Sequence, residues 1–269
     1  MDFIITQNGV LNHTEENIWQ ANTDHTIYEV IRVMDGIALF LEDHFERLIS
    51  SVKISGLQLD MGFSEFRQNI SELTQLNNQQ NGNVKFAFSG IGAETQWSFS
   101  FIPHSYPASE DYQKGVATGL LFAERENPNA KILQIKVRER AVRLIAENKL
   151  YEALLVDRSG RITEGSRSNV FFVKGNKFYT APSAMVLVGV TRKKVMECLE
   201  ELNFPVIEEA VSVSDVGTFD AVFLTGTSPK VLPVHCIDTI QFPSKNPFVE
   251  QLMDRYDLMI EAYLEMHRT

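Results

Sequence analysis

Arg161-Ile162-Thr163-Glu164-Gly165-Ser166-Arg167-Ser168-Asn169 leads straight into the apolar run Val170-Phe171-Phe172-Val173. A single carboxylate is thereby placed in a glycine- and serine-rich turn just ahead of a strand expected to be buried. A second stretch, Leu224-Thr225-Gly226-Thr227-Ser228-Pro229-Lys230, also follows an apolar run and is dense in hydroxyls and backbone donors. A carboxylate such as Glu164 can bond a protonated ring nitrogen and keep it cationic. Hydroxyls and amides gathered in a turn suit an anion. With a lysine upstream, these are the parts needed to hold an anionic, pyridine-based cofactor.

The flanking apolar patterns predict the fold class. Residues 3–6 read as a strand, and 27–33 alternate as a second. Asp35-Gly36 then turns the chain into 37–40, a hairpin signal. Residues 41–52 and 61–76 return apolar side chains at helical spacing: Leu41, Phe45, Leu48, Ile49 and Val52, then Phe63, Phe66, Ile70, Leu73 and Leu76. Residues 77–83 are a polar loop between these helices and strands at 84–88 and 97–102. Residues 103–114, with Pro103 and Pro107, connect this half to the next. There, strands are expected at 116–122, 153–156, 169–173, 177–179 and 221–224. Helices are expected at 133–148, 191–201 and 248–266. Single helices between strands in irregular order predict an α+β protein. The expected division is a smaller α+β domain at 1–109 and a larger, cofactor-binding domain at 110–269.

Bulk properties exclude several functions. The 269 residues are 44% hydrophobic, enough for a sizeable core in one or two domains. A formal net charge of -10 without a long basic run argues against nucleic acid. Cys198 and Cys236 lie far apart, and His25, His44 and His104 have no metal-ligand spacing, so no metal is expected. Met1-Asp2-Phe3-Ile4-Ile5 lacks the features of a signal peptide, and no apolar run is long enough to span a bilayer. A cytoplasmic protein without a membrane partner is expected. Neither G-x-G-x-x-G nor G-x-x-x-x-G-K-[ST] occurs. Residues 14–22 carry no assignable chemistry.

A lysine that captures an aldehyde must be held rigidly. Lys131 follows Asn127-Pro128-Asn129-Ala130 and precedes a helix. Lys136 is the rival, at helical spacing with Arg140, Arg143 and Glu147 on a charged face. Spacing leaves both open, beside the plain alternative of surface lysines. Gly189-Val190-Thr191-Arg192 opens a helix, where the first amides lack intrahelical partners and can receive an anion. Arg47, on the helix after the first hairpin, can pair with a phosphate through two nitrogens. Tyr28 and Arg32 share strand parity with Val30 and leave one face. Tyr28 can donate to a cofactor there, and Arg32 can meet a substrate carboxylate. Each has an ordinary structural alternative: a helix cap, a turn, a solvated helix face, a core-edge tyrosine. Asp43-His44 is expected to orient local backbone.

Taken together, the motifs resemble the fold-type IV pyridoxal-phosphate enzymes: branched-chain and D-amino-acid aminotransferases, (R)-amine transaminases and aminodeoxychorismate lyase. The resemblance covers nearly the whole chain. It rests on Tyr151-Glu152-Ala153-Leu154-Leu155-Val156-Asp157, the Thr163 to Asn169 run, Gly189-Val190-Thr191-Arg192, and Thr225-Gly226-Thr227-Ser228 with Leu232-Pro233-Val234, in the family's order. It implies two mixed α/β domains of the D-amino-acid aminotransferase-like type, and pyridoxal 5'-phosphate as cofactor. It implies Lys131 as the catalytic lysine, at the family's distance before the glutamate, and Glu164 as partner of the pyridine nitrogen. Arg47 would bind phosphate with the amides of Val190 and Thr191 and with Thr227. Tyr28, in Ile27-Tyr28-Glu29, matches the tyrosine of the family's V-Y-E strand. Ser168 and Asn169 would complete the cofactor-binding set, with Arg32 left to the substrate. A homodimer acting on amino acids and 2-oxo acids is also implied.

The chain departs from the family's pattern in three places. Asn22-Thr23-Asp24-His25-Thr26 replaces the usual arginine-glycine and F-G-D-G run, Phe88-Ser89-Gly90 carries no arginine, and Gln134 replaces a companion asparagine. The first two bear on substrate identity. The expected reaction is transamination. Elimination by the same machinery would instead make a 4-amino-4-deoxychorismate lyase, releasing 4-aminobenzoate and pyruvate. The hydroxyl-rich 225–229 segment resembles the aminotransferase branch more closely. A non-catalytic binding protein is the third alternative.

Overall fold

The computed structural model describes residues 2–12, 26–91 and 94–268; the segment 13–25, including Asn22 to His25, lies outside the described residues. The chain forms two compact units. Unit 1 comprises Met1–Ser105, Ala130–Ile135 and Ile260–Thr269, and unit 2 comprises Tyr106–Asn129 and Lys136–Met259. Unit 1 thus takes two short pieces from later in the chain, which no single cut describes.

Unit 1 is built on strands β1 (Phe3–Thr6), β2 (Gly9–Asn12), β3 (Ile27–Met34), β4 (Ile37–Ala38), β5 (Gly82–Ile91) and β6 (Glu94–Ile102), with helices α1 (Leu41–Ile54) and α2 (Phe63–Leu76). The strands form an antiparallel sheet in the order β2-β1-β6-β5-β3-β4. Burial alternates along β3. Ile27, Ile31 and Val33 enter a core with Leu48, Phe66, Phe86 and Phe99, while Tyr28, Val30 and Arg32 leave the other face. Phe66 stands edge-on to both Phe86 and Phe99, with ring centres 5.2 Å apart in each case. Burying such a ring contributes about 2–3 kcal/mol.

The Asp35-Gly36 hairpin forms as expected, both residues having positive φ (51° and 79°) as a tight two-residue turn requires. The strand expected at 37–40 stops at Ala38. Leu39 bonds back to the Arg32 carbonyl, and Phe40 takes a left-handed conformation at the start of α1. There the Leu41 amide donates to the Tyr263 hydroxyl at 3.1 Å, and that hydroxyl donates to Glu42 at 2.7 Å. The late piece 260–269 therefore caps the first long helix of its unit.

Unit 2 contains α3 (Ser109–Lys114), β7 (Val116–Phe122), most of α4 (Ile135–Asn148), β8 (Glu152–Val156), β9 (Arg161–Gly165), β10 (Asn169–Lys174), β11 (Lys177–Thr180) and α5 (Val190–Glu201). It continues with β12 (Val206–Glu208), β13 (Val211–Ser212), β14 (Ala221–Gly226), β15 (Lys230–Ile237), β16 (Ile240–Gln241) and the greater part of α6 (Pro247–His267). The sheet runs β12-β11-β10-β14-β15-β7-β8-β9-β13, with β16 on β15. Strands β7, β8 and β15 are joined in parallel, as are β11 and β12, and the remaining pairs are antiparallel. Val156, Val170, Phe172, Leu224, Leu232 and Val234 lie in its main core. The turn expected around Glu164 is instead strand β9, because Gly165 and Ile162 pair with Leu154 and Val156. Among the described residues no helix is long and apolar enough to cross a membrane. Both cysteines are buried free thiols, and no group of side chains has the make-up of a metal site among the described residues.

Candidate active site

Lys131 lies in the piece that unit 1 takes from mid-chain. Its backbone is pinned on three sides. Its amide donates to Ser51 Oγ at 3.1 Å, its carbonyl accepts from the Tyr28 amide at 3.1 Å, and the Leu133 amide bonds to the Thr26 carbonyl at 3.0 Å. Ile132 thereby forms a lone bridge with Ile27 at the start of β3. Ser51 is itself tied to α1, its hydroxyl donating to the Arg47 carbonyl at 2.9 Å. The Lys131 side chain crosses the face from which Tyr28 projects, with Nζ 4.7 Å from the centre of the ring. Such a contact favours a cation over the ring by about 0.5–2 kcal/mol. Lys136, by contrast, is exposed in the first turn of α4.

Arg47 is held by a residue that sequence patterns named only as Tyr28's neighbour. Glu29 faces the core side of β3 and accepts from Arg47 Nε at 2.8 Å and Nη2 at 2.6 Å. His44 Nδ1 donates to the same carboxylate at 2.8 Å. Burial pushes the Glu29 pKa up, but the Arg47 charge and the bonds from His44 and Arg47 outweigh it and hold the pKa at about 2. Burial lowers the His44 pKa, against the opposing pull of Glu29. The expected backbone-orienting role of His44 is corrected: its partner is a carboxylate.

In unit 2, Glu164 is 2% exposed. One oxygen accepts from the Leu187 amide at 3.2 Å, and the other lies 3.1 Å from Arg125 Nε. Arg125 also donates through Nη2 to the Ser166 carbonyl at 2.8 Å. The following loop is organised by Glu152, another buried carboxylate. It accepts from Ser166 Oγ at 2.6 Å, Ser168 Oγ at 2.9 Å, and the amides of Ala153 and Arg167 at 2.9 and 3.2 Å. A Cβ on Gly165, at the end of β9, would collide with Ser168 Oγ and press on the Glu152 side chain, so glycine leaves room for this arrangement. The Ser168 hydroxyl is thus engaged with the carboxylate that organises the loop.

From Glu164 the bonds continue toward the start of α5. Asn169 Nδ2 donates to the Leu187 carbonyl at 2.9 Å, and a Cβ on Gly189 would collide with Asn169 Oδ1. Gly189 is the N-cap of α5, followed by the buried Val190 and Thr191. Across the ladder, Asn169 pairs with Thr225, the last but one residue of β14. Thr225 Oγ1 is buried without a hydrogen-bond partner among the described residues. The Thr227 nest follows directly, and β15 opens at Lys230 with a positive φ of 54°.

Each unit thus gathers its own set: Lys131, Tyr28, Arg47 and Arg32 in unit 1, and Glu164, Ser168, Asn169, Val190, Thr191 and Thr227 in unit 2. Tyr28 and Arg32 are on one face of β3, and Glu29 is on the other. Sequence reasoning missed the supporting residues Glu29, Arg125 and Glu152. Glu152 was within reach, since it stands in the Tyr151 to Asp157 motif. A cavity of about 610 Å³ in unit 2, bordered by Tyr112, Lys230, Met253 and Tyr256, contains none of the expected site residues.

Residues 26–237 match the family model of class IV amino-transferases. The chain is 30% identical to a D-alanine aminotransferase of Bacillus licheniformis, over 79% of this chain and 78% of the relative. Its fold is similar to an aminotransferase of Mycobacterium tuberculosis solved in a PLP-bound form, with a TM-score of 0.82 and 20% identity over 97% and 99% of the two chains. A candidate 4-amino-4-deoxychorismate lyase of Legionella pneumophila has a TM-score of 0.79 at 20% identity, over 91% of this chain and 97% of that one.

Proposed function

This chain belongs to the class IV aminotransferases, and we propose that it moves an amino group between an amino acid and a 2-oxo acid with pyridoxal 5'-phosphate as its cofactor. The donor chemistry fits that cofactor. An aldehyde calls for an amine (Lys131), a ring N–H for a carboxylate (Glu164), and a phosphate for a guanidinium (Arg47) and the amides that open α5. The unpartnered Thr225 hydroxyl, buried beside that cradle, is a further donor suited to an anion. When bound, the cofactor supplies an aldehyde that captures the substrate's amine and a protonated ring that withdraws electrons from its α-carbon.

The chain's own residues do the rest. Lys131 Nζ would first hold the aldehyde, then take the proton from the α-carbon of the amino donor and deliver it to the former aldehyde carbon, with the reverse transfer serving the 2-oxo acid acceptor. Its pinned backbone limits the positions the nitrogen can reach, and Tyr28 lies beneath it as a guide. Glu164 keeps the ring nitrogen protonated. Arg47, Val190, Thr191 and Thr227 bind the phosphate, and Asn169 braces the backbone between Glu164 and Gly189. Arg32, on the Tyr28 face, meets a substrate carboxylate. The protein is further proposed to be cytoplasmic and to work as a homodimer, as the resemblance implies.

The observation that carries this reading is the pair of bonds that joins the buried Glu164 to Leu187 and Leu187 to Asn169, whose side chain packs against Gly189, the N-cap of α5. It sets a carboxylate and an anion cradle in one rigid piece. The test is amino transfer from D- and L-amino acids to pyruvate and 2-oxoglutarate, beside pyruvate release from 4-amino-4-deoxychorismate. Transfer is expected; strong pyruvate release without transfer would overturn it in favour of the lyase.

A further inference from the structure

We propose that Arg125 is the positioning residue that keeps the Glu164 carboxylate charged and aimed, an inference that rests on the cofactor reading above. Glu164 is too buried for water to solvate its charge. A carboxylate in that state must be compensated by a cation or take up a proton. The compensating cation is Arg125, with Nε 3.1 Å from the carboxylate and a side chain only 10% exposed.

The route by which Arg125 arrives is built into the sheet. It follows β7, and the chain just beyond that strand stays in register because the Ala123 amide bonds to the Val156 carbonyl at 3.1 Å. Strand β8 separates β7 from β9, so the long guanidinium arm spans from the end of one strand to the end of the second. There it touches Glu164 and the Ser166 carbonyl, on either side of Gly165. Nε is buried and makes no aligned hydrogen bond with any described residue. Its hold on Glu164 is therefore charge compensation, while Nη2 supplies the directional anchor to the loop.

The consequence for a ring nitrogen is direct. A carboxylate accepts the ring proton, whereas a carboxylic acid presents a competing proton of its own. Both amino transfer and elimination depend on that ring proton, so Arg125 acts ahead of the step at which they diverge. Glu124 and Glu126 flank Arg125 in the chain, and this acidic setting disguises it as a surface charge.

The test uses Arg125→Met, Arg125→Gln and Arg125→Lys, each alone and with Glu164→Gln. Difference infrared spectra are recorded at neutral pH on protein freed of cofactor. Arg125→Met should gain the carbonyl stretch of a protonated carboxyl, absent from the wild type, from Arg125→Lys and from Arg125→Met with Glu164→Gln. Titration with pyridoxal 5'-phosphate should show affinity about tenfold or more weaker in Arg125→Met, on the scale of one lost charge-assisted bond, and largely restored in Arg125→Lys. Should Arg125→Met fail to fold, Arg125→Gln is read the same way, since it can still bond Ser166 but carries no charge. No new carboxyl band, or unchanged cofactor affinity and spectrum, would overturn the proposal. Wild-type protein that binds no cofactor would overturn the underlying reading instead, and the infrared comparison, made without cofactor, tells the two failures apart.

Discussion

The side-chain nitrogen of Lys131 stands 4.7 Å from the centre of the Tyr28 ring, while the backbones of the same two residues share a hydrogen bond of 3.1 Å. The lysine and the surface beneath it are thus located by one interaction and cannot drift independently. Borohydride treatment of the protein with pyridoxal 5'-phosphate should fix the label on the peptide containing Lys131. Lys131→Ala should abolish labelling and lower activity by at least about a thousandfold, the scale of losing a positioned proton-transfer group. Lys136→Ala should leave both unchanged. Labelling at residue 136, checked by peptide mass mapping, would defeat the assignment.

Glu29 engages two nitrogens of Arg47, so removing its charge frees that guanidinium to rotate and leaves a cation poorly compensated. Breaking a buried pair from one side typically destabilises by about 3–5 kcal/mol. Glu29→Gln should lose stability on that scale in urea unfolding, and should bind inorganic phosphate and cofactor about tenfold more weakly. Unchanged phosphate affinity would show that Glu29 does not position Arg47 for an anion.

The same cluster sets an acid limit. His44 has its pKa lowered below 6.5 in the folded protein, so the unfolded chain takes up the proton first. Its contribution is complete above pH 6.5 and is lost as pH falls below that value. Glu29 is lowered from 4.5 to about 2, so its contribution is complete above pH 4.5 and is lost between there and pH 2. Integrated over that interval, the Glu29 loss is roughly 3 kcal/mol. Unfolding temperature should therefore fall on acidification from pH 7, and His44→Gln should flatten the upper part of the decline. A wild-type curve that is level from pH 7 to 4.5 would contradict the His44 assignment, and one that is level from pH 4.5 to 2 would contradict that of Glu29.

Gly189 sits where a Cβ would collide with the Asn169 side-chain oxygen. Gly189→Ala should push Asn169 off the Leu187 carbonyl and disturb both the Glu164 contact and the start of α5. Cofactor affinity should drop about tenfold or more, with a smaller change in Gly62→Ala, where φ is negative and nothing lies within reach of the new carbon. Equal effects of the two substitutions would remove the steric explanation.

Local periodicity made most elements legible. The alternation of β3 and the helical returns of α1 and α2 are written in consecutive residues. Strand β9 was not, because Ile162 is its one strongly apolar member and the pairing that makes it a strand comes from β8. Strand β15 was obscured by Pro233 in its middle, which reads as a break. In the site, Lys131, Glu164 and the two turns were visible because their motifs are compact. Glu29 and Arg125 are ordinary charges in sequence, and Glu152, though it stands in the Tyr151 to Asp157 motif, gives no sign there of its partners. Their roles come from burial and from partners 14 to 39 residues away, which neither spacing nor composition reports.

Unit 1 is finished by Ala130–Ile135 and Ile260–Thr269, and this has a consequence for synthesis. When translation has delivered only residues up to 105, Ile27 has no Ile132 to pair with and the first amide of α1 has no Tyr263 hydroxyl to receive it. The Ile132 bridge arrives about 27 residues later, but α1 must stay uncapped until some 160 further residues have been made, about 8–30 s at ordinary elongation rates. In that interval unit 2 can mature first, although it is encoded second.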